Sequence, residues 1–289
     1  MNLTEKQHYI PQVYLRGFSP DNKVKEKKDK YRIYRNKINK EEQLNQLVPI
    51  KSICYEKKLY EVTGVDGNIV RQNYLEKAFG YIEKKFSYYK KELENKAFNP
   101  QNYQTKCFLK KEEKDFWKVY IVLQILRNKY FLEMAENVWR DIGKDKLNNN
   151  QLKNMARLYS LPFFKNEDGD AIFMQLIEPM NNMSFAIGVD YENKIITSDK
   201  TACIYCLKSS HIEYEKIIFP ISSELCLYMF GGDEKKNIGR NFLFKIENQH
   251  REEILKSLSE AAINELYSNH IFDKAEENII KNRKKMDQR

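Results

Sequence analysis

Phe116-Trp117-Lys118-Val119-Tyr120-Ile121-Val122-Leu123-Gln124-Ile125-Leu126-Arg127-Asn128 is apolar on nearly every side until its last turn. A surface helix shows one apolar stripe; a run that is apolar almost all round belongs in the interior. The stretch therefore predicts a central buried helix, extending from about 111 to 143 through Tyr130, Phe131, Met134 and Val138. Gln124, Arg127 and Asn128 break its apolar character. At i, i+3 and i+4 they share one helix face. An unpaired buried guanidinium is costly, so Arg127 calls for a carboxylate, an anionic ligand or a wet cleft. A structural salt bridge and an anion site both satisfy that demand, and the Arg fork suits either.

Outward from this helix the pattern is mixed. Leu75, Phe79, Ile82, Phe86 and Leu93 recur at helical spacings over 72–97, which Asn99-Pro100 closes. Shorter helices are expected over 148–159 and 169–180. The chain then changes to short apolar runs at 184–189, 194–197, 202–207, 217–220 and 225–230, the strands of a mainly antiparallel sheet. Residues 241–246 are ambiguous, 252–267 read as a helix, and a charged helix follows from 273. Before the helices, strands are expected at 31–35 and 47–53. Segments 59–63 and 68–71 flank Gly64-Val65-Asp66-Gly67, where Asp-Gly favours a hairpin. The fold class expected is α+β. Its single domain spans 1–289: an N-terminal motif and β-region (1–71), central helices (72–182), a sheet (183–246) and C-terminal helices (247–289).

The second telling stretch is His8-Tyr9-Ile10-Pro11-Gln12-Val13-Tyr14-Leu15-Arg16-Gly17-Phe18-Ser19. Tails are normally polar and loosely held. Here Ile10, Val13, Leu15 and Phe18 are anchors, and the polar groups between them look placed in a site. Thr197-Ser198-Asp199 ends an apolar strand, where Ser and Asp serve either a site or a turn. Glu76 and Glu83 read as helix-surface acids, though their seven-residue spacing on one face leaves a supporting role open.

Composition narrows the function classes. The chain has 289 residues, 42% of them hydrophobic and 13% aromatic. No apolar run approaches the ~18 residues of a membrane span, and the start lacks the basic and apolar regions of a secretory signal. Five cysteines in a chain of this length do not form a disulfide framework, so a reducing cytoplasm is expected. Cys203 and Cys206 lack the second pair a zinc site needs. The net charge of +9 attracts anionic partners or reflects a lysine-rich composition. No phosphate-binding loop, dinucleotide fingerprint, zinc-protease motif or nucleophile elbow occurs.

Taken together, the chain resembles the bacterial family known as domain of unknown function 4238. The resemblance is carried by His8 to Phe18, Ser52-Ile53-Cys54 through Leu59-Tyr60, Ile82-Glu83 and Leu123-Gln124-Ile125-Leu126-Arg127. Thr197-Ser198-Asp199, Phe219-Pro220-Ile221-Ser222 and Asn264 to Tyr267 continue it in order. The family usually follows Ser-Asp with a polar residue and a proline, whereas this chain has Lys200-Thr201. The resemblance places His8, Gln12, Arg16, Gln124, Arg127, Ser198 and Asp199 in recurring motifs and implies no reaction.

The expected function is a bacterial defence or toxin-type effector that hydrolyses nucleic-acid phosphodiesters, with RNA preferred to DNA. His8 serves as general acid or base and Arg127 as anion stabiliser. Asp199, Ser198 and Gln124 complete the catalytic set; Tyr9, Gln12, Tyr14, Arg16 and Asn128 bind substrate. No cofactor is required, with Mg²⁺ between Asp199 and Glu83 as the open exception. Basic segments 23–37 and 281–289, with Tyr31 and Tyr34 to stack on bases, are the expected outer contacts. The competing reading is a non-enzymatic binding or regulatory subunit of a defence or toxin–antitoxin complex.

Overall fold

A computed structural model describes residues 3–21, 30–38, 44–64, 66, 68–70, 72–99, 101–102, 108–143, 146–163, 167–206, 213–232 and 242–286. Residues 22–29 and 287–289, parts of the two expected basic segments, lie outside them, as do His211 and Cys107. Among the described residues no helix is long and apolar enough to cross a membrane.

The apolar central run does form the interior, but as two helices. α3 (Lys111–Leu126) ends at Arg127, and α4 (Lys129–Gly143) starts afresh, which corrects the single helix expected over 111–143. The cause is Asn128. Its Oδ1 accepts from Tyr130 N at 3.1 Å, while its carbonyl takes Leu132 N–H. An asparagine that can satisfy free N–H groups starts a helix more readily than it continues one. Against α3 packs α2 (Tyr74–Ala97), with Phe86 stacked on Tyr120 at 4.6 Å and Trp117 edge-on to Phe86. α1 (Gln12–Leu15) precedes these; α5 (Asn149–Ser160) and α6 (Glu167–Ile177) follow.

Among the described residues the strands form three sheets. β1 (Lys6–His8) pairs antiparallel with β4 (Tyr55–Lys57). β2 (Arg32–Lys37), β3 (Gln46–Pro49), β6 (Thr197–Ser198) and β11 (Glu265–Ser268) form an antiparallel sheet in the order β3-β2-β11-β6. The third contains β5 (Ser184–Val189), β7 (Cys203–Cys206), β8 (Tyr214–Pro220), β9 (Leu225–Phe230) and β10 (Phe242–Lys245), ordered β10-β5-β9-β8-β7. It is antiparallel except for β10, which runs parallel to β5. β5 and β9 are buried at every residue, which is why they read as continuous apolar runs rather than alternating ones.

The α+β expectation holds, with its small N-terminal sheets and mainly antiparallel C-terminal sheet. Two boundaries differ. The helix expected over 252–267 is α7 (Asn248–Ala261) followed by β11, and the charged tail is α8 (Lys274–Met286). The carboxylate of Asp199 draws the backbone N–H groups of Ile263, Asn264 and Glu265 to itself at 2.9, 2.7 and 3.2 Å. Those donors are thereby lost to a helix. The 194–197 segment contributes to the smaller sheet through β6, not to the five-stranded one. The expected hairpin around Asp66 reduces to one bridge, Thr63 to Ile69, closed by Gly64 N to Asn68 O at 2.8 Å.

Three of the four expected anchors of the N-terminal segment, Ile10, Leu15 and Phe18, are fully buried, and Val13 is half-buried. Tyr14, expected to bind substrate, is fully buried as well. Tyr14 hydroxyl bonds Thr197 Oγ1 and donates to the Pro220 carbonyl, both at 2.8 Å. The backbone of Gly17 meets the β8–β9 turn, where Ser223 N and Oγ both donate to its carbonyl at 3.0 Å.

Candidate functional site

A cleft of about 860 Å³ lies between the N-terminal segment and α2. One wall carries Lys6, His8, Gln12, Arg16, Lys51 and Ser52. The other is the α2 face bearing Glu76, Gly80, Glu83, Lys84 and Ser87, and Arg127 reaches it from the end of α3. Five of these side chains are Lys or Arg and two are Glu, so the cleft presents a positive field.

Arg127 joins the walls. It is 2% exposed, donates through Nη2 to the His8 carbonyl at 2.7 Å, and pairs through Nη1 with Glu83 at 3.1 Å. Its guanidinium lies 4.1 Å from the Phe79 ring centroid, a cation–π contact. Burial opposes its charge, but Tyr60 and Glu83 outweigh that and hold the guanidinium firmly protonated. The carboxylate that Arg127 calls for is thus Glu83.

Two titratable groups of the cleft, His8 and Glu76, are displaced in opposite directions. His8, with Gln12 Nε2 3.4 Å from its Nε2, falls to about 4. Loss of solvation is the main cause and Arg127 adds to it, while the Lys51 backbone pulls the other way. The imidazole is therefore neutral at pH 7, the form of a general base and not of a general acid. Glu76 is pushed up to about 7, chiefly by burial, with Glu83 and Glu61 adding to it and Arg127 opposing. Glu76 Oε1 is buried without a hydrogen-bond partner.

The remaining sequence-derived residues lie elsewhere. Asn128 Nδ2 donates to the Asp199 carbonyl at 2.7 Å, so the end of α3 does meet the 198–199 turn. The side chains there are committed to backbone, however. Asp199 holds residues 263–265, and Ser198 Oγ donates to the Lys200 carbonyl. Tyr9 is buried, edge-on to Tyr130, and Tyr14 is in the core. Gln124 is 2% exposed, and neither polar atom of its side chain has a partner. None of Ser198, Asp199, Gln124, Asn128, Tyr9 or Tyr14 lines the cleft.

Among the described residues no three His, Cys, Asp or Glu side chains are grouped to hold a metal ion. Of the pair expected to share Mg²⁺, Glu83 lines the cleft and Asp199 does not. Cys203 is buried and Cys206 exposed on β7, as strand alternation requires of positions three apart.

The motif residues His8, Gln12, Arg16, Glu83 and Arg127 thus share one cleft. Residues 6–285 match the family model described as Protein of unknown function (DUF4238). The chain belongs to that family. No curated protein and no solved structure matches it. In this DUF4238 protein, sequence reasoning missed Glu76 as a proton-carrying group and Lys6, Lys51 and Lys84 as cleft cations. The available signal was Glu76, Gly80 and Glu83 on one helix face, with a glycine where a helix interior favours almost any other residue.

Proposed function

We propose that this protein cleaves phosphodiester bonds of nucleic acid, RNA before DNA, as an effector of bacterial defence or of a toxin–antitoxin module. The observation that carries the reading is a basic cleft holding both a neutral imidazole, His8, and a carboxyl group, Glu76, that titrates near 7. A neutral base and a protonated acid at the same pH are the two forms hydrolysis needs. Water attacks phosphorus and its proton passes to His8. The bond to the leaving oxygen breaks as Glu76 supplies that oxygen with a proton. Arg16 and the cleft lysines stabilise the charge on the phosphoryl oxygens, and Arg127 positions the His8 backbone and adds its field.

The test is incubation of purified protein with tRNA, total RNA and plasmid, with and without Mg²⁺. RNA cleavage that falls at least 100-fold in His8→Ala and in Glu76→Gln is expected. Binding of RNA without cleavage under every condition would leave the regulatory-subunit reading in its place.

A further inference from the structure

Gly80 sits in the interior of α2, yet a Cβ built there would meet nothing within 4 Å. Packing therefore gives no reason for a glycine. In a helix interior it costs about 1 kcal/mol against alanine. The residue lines the cleft between Glu76 and Glu83, four residues after one and three before the other, so the three form a single face. That face is bare backbone at Gly80, flanked by two carboxyl groups, with the Lys84 ammonium one turn further on. Across from it Lys6, Arg16 and Lys51 supply positive charge. Among the described residues the lining contains no Tyr, Phe or Trp. The His8 ring is tilted against Tyr55 at 5.6 Å, and Arg16 covers the Tyr31 ring at 5.6 Å. A nucleobase thus finds no Tyr, Phe or Trp ring to stack on among the described residues of the lining, whereas a phosphate finds cations and a sugar finds hydrogen-bond acceptors.

We infer that the cleft takes a ribose phosphate, with the phosphate on the Lys6, Arg16 and Lys51 wall and the ribose 2′-hydroxyl facing the Glu76 and Glu83 side across the bare backbone of Gly80. The inference rests on the phosphodiester reading and deepens it: the sugar is selected and the base is left outside. Carboxyl oxygens accept hydrogen bonds from hydroxyls, and the 2′-hydroxyl is the group that separates RNA from DNA.

The test titrates wild type and Gly80→Ala by calorimetry with uridine 3′,5′-bisphosphate, its 2′-deoxy counterpart and adenosine 3′,5′-bisphosphate, none of which contains a phosphodiester. The ribo ligand should bind at least fivefold tighter than the deoxy one, and the two ribo ligands within threefold of each other. Gly80→Ala should weaken the ribo ligands at least fivefold while raising the melting temperature, since alanine removes a helix defect. Equal ribo and deoxy affinities, full affinity in Gly80→Ala, or no binding at all would overturn it. RNA cleavage by the same preparations is read separately. Cleavage without ribose preference sinks this inference alone, and ribose preference without cleavage sinks the hydrolysis reading alone.

Discussion

His8 and Glu76 line one cleft and are displaced from their ordinary values in opposite senses. The consequence for stability follows from proton counting. Between about 4 and 6.5 the unfolded chain binds a proton at His8 that the folded one does not, so stability rises with pH. Between 4.5 and about 7 the folded chain keeps a proton at Glu76 that the unfolded one releases, so stability falls with pH. The two slopes oppose each other over most of one window. We expect His8→Asn to show a falling stability from pH 4.5 to 7 relative to wild type, and Glu76→Gln a rising one, in urea melts at each pH. Arg127 makes a different demand. Arg127→Met removes the Glu83 partner and the clamp on the His8 carbonyl, and should cost about 3 kcal/mol in the same assay. Arg127→Lys should recover less than half of that, because an ammonium cannot bridge both acceptors as a planar fork does.

At the level of elements, two side chains set boundaries that hydrophobic spacing cannot reveal. The period of apolar residues marked α2, α3 and the β5 and β9 runs correctly because burial alone dictates those patterns. It carried on through Arg127-Asn128 because Tyr130, Phe131 and Met134 keep a helical spacing on both sides of the break. It likewise took Glu265 to Ser268 for helix, since Leu266 and Leu258 stand eight residues apart. What ends the helix there is Asp199, more than sixty residues away in sequence, and no local pattern contains it. Asp199→Ala should therefore destabilise the protein by about 2–3 kcal/mol, the worth of charge-assisted bonds to several N–H groups. It should also speed amide exchange at 263–265 ahead of the rest of the chain. Asn128→Ala should cost about 1 kcal/mol as a lost cap, with faster exchange confined to the first turn of α4. Uniform exchange in both variants would remove these two residues from the role of boundary markers.

Across the whole molecule, the candidate site was half legible. The opening motif, Arg127 and Glu83 are found in one cleft, because a charged group set among apolar anchors must be brought to something that answers it. Ser198, Asp199 and Tyr14 carry equally suggestive chemistry, yet the fold spends it on backbone and core contacts that only the tertiary arrangement discloses. The net charge of +9 takes local form in the cleft. Exchanging the exposed Lys51 and Lys84 for Glu should weaken RNA binding at least tenfold. The dependence of log K on log salt should become shallower by roughly 1–2, the share of two phosphate contacts. A slope unchanged by the double substitution would place the nucleic-acid surface elsewhere.

The sheet that joins β2 to β11 pairs residues near 35 with residues near 267. β11 is also adjoined by the Asp199 clamp, Asp199 by Asn128, and Asn128 by the arginine that holds the His8 backbone. These are contacts of very long sequence separation, the kind whose loop-closure entropy slows folding. During synthesis a ribosome-bound chain that has not yet released residue 268 lacks the strand on which this relay ends. The N-terminal motif meets β4, Arg127 and the β8–β9 turn before residue 268 emerges, so the link of this relay that closes last is the pairing of β2 with β11.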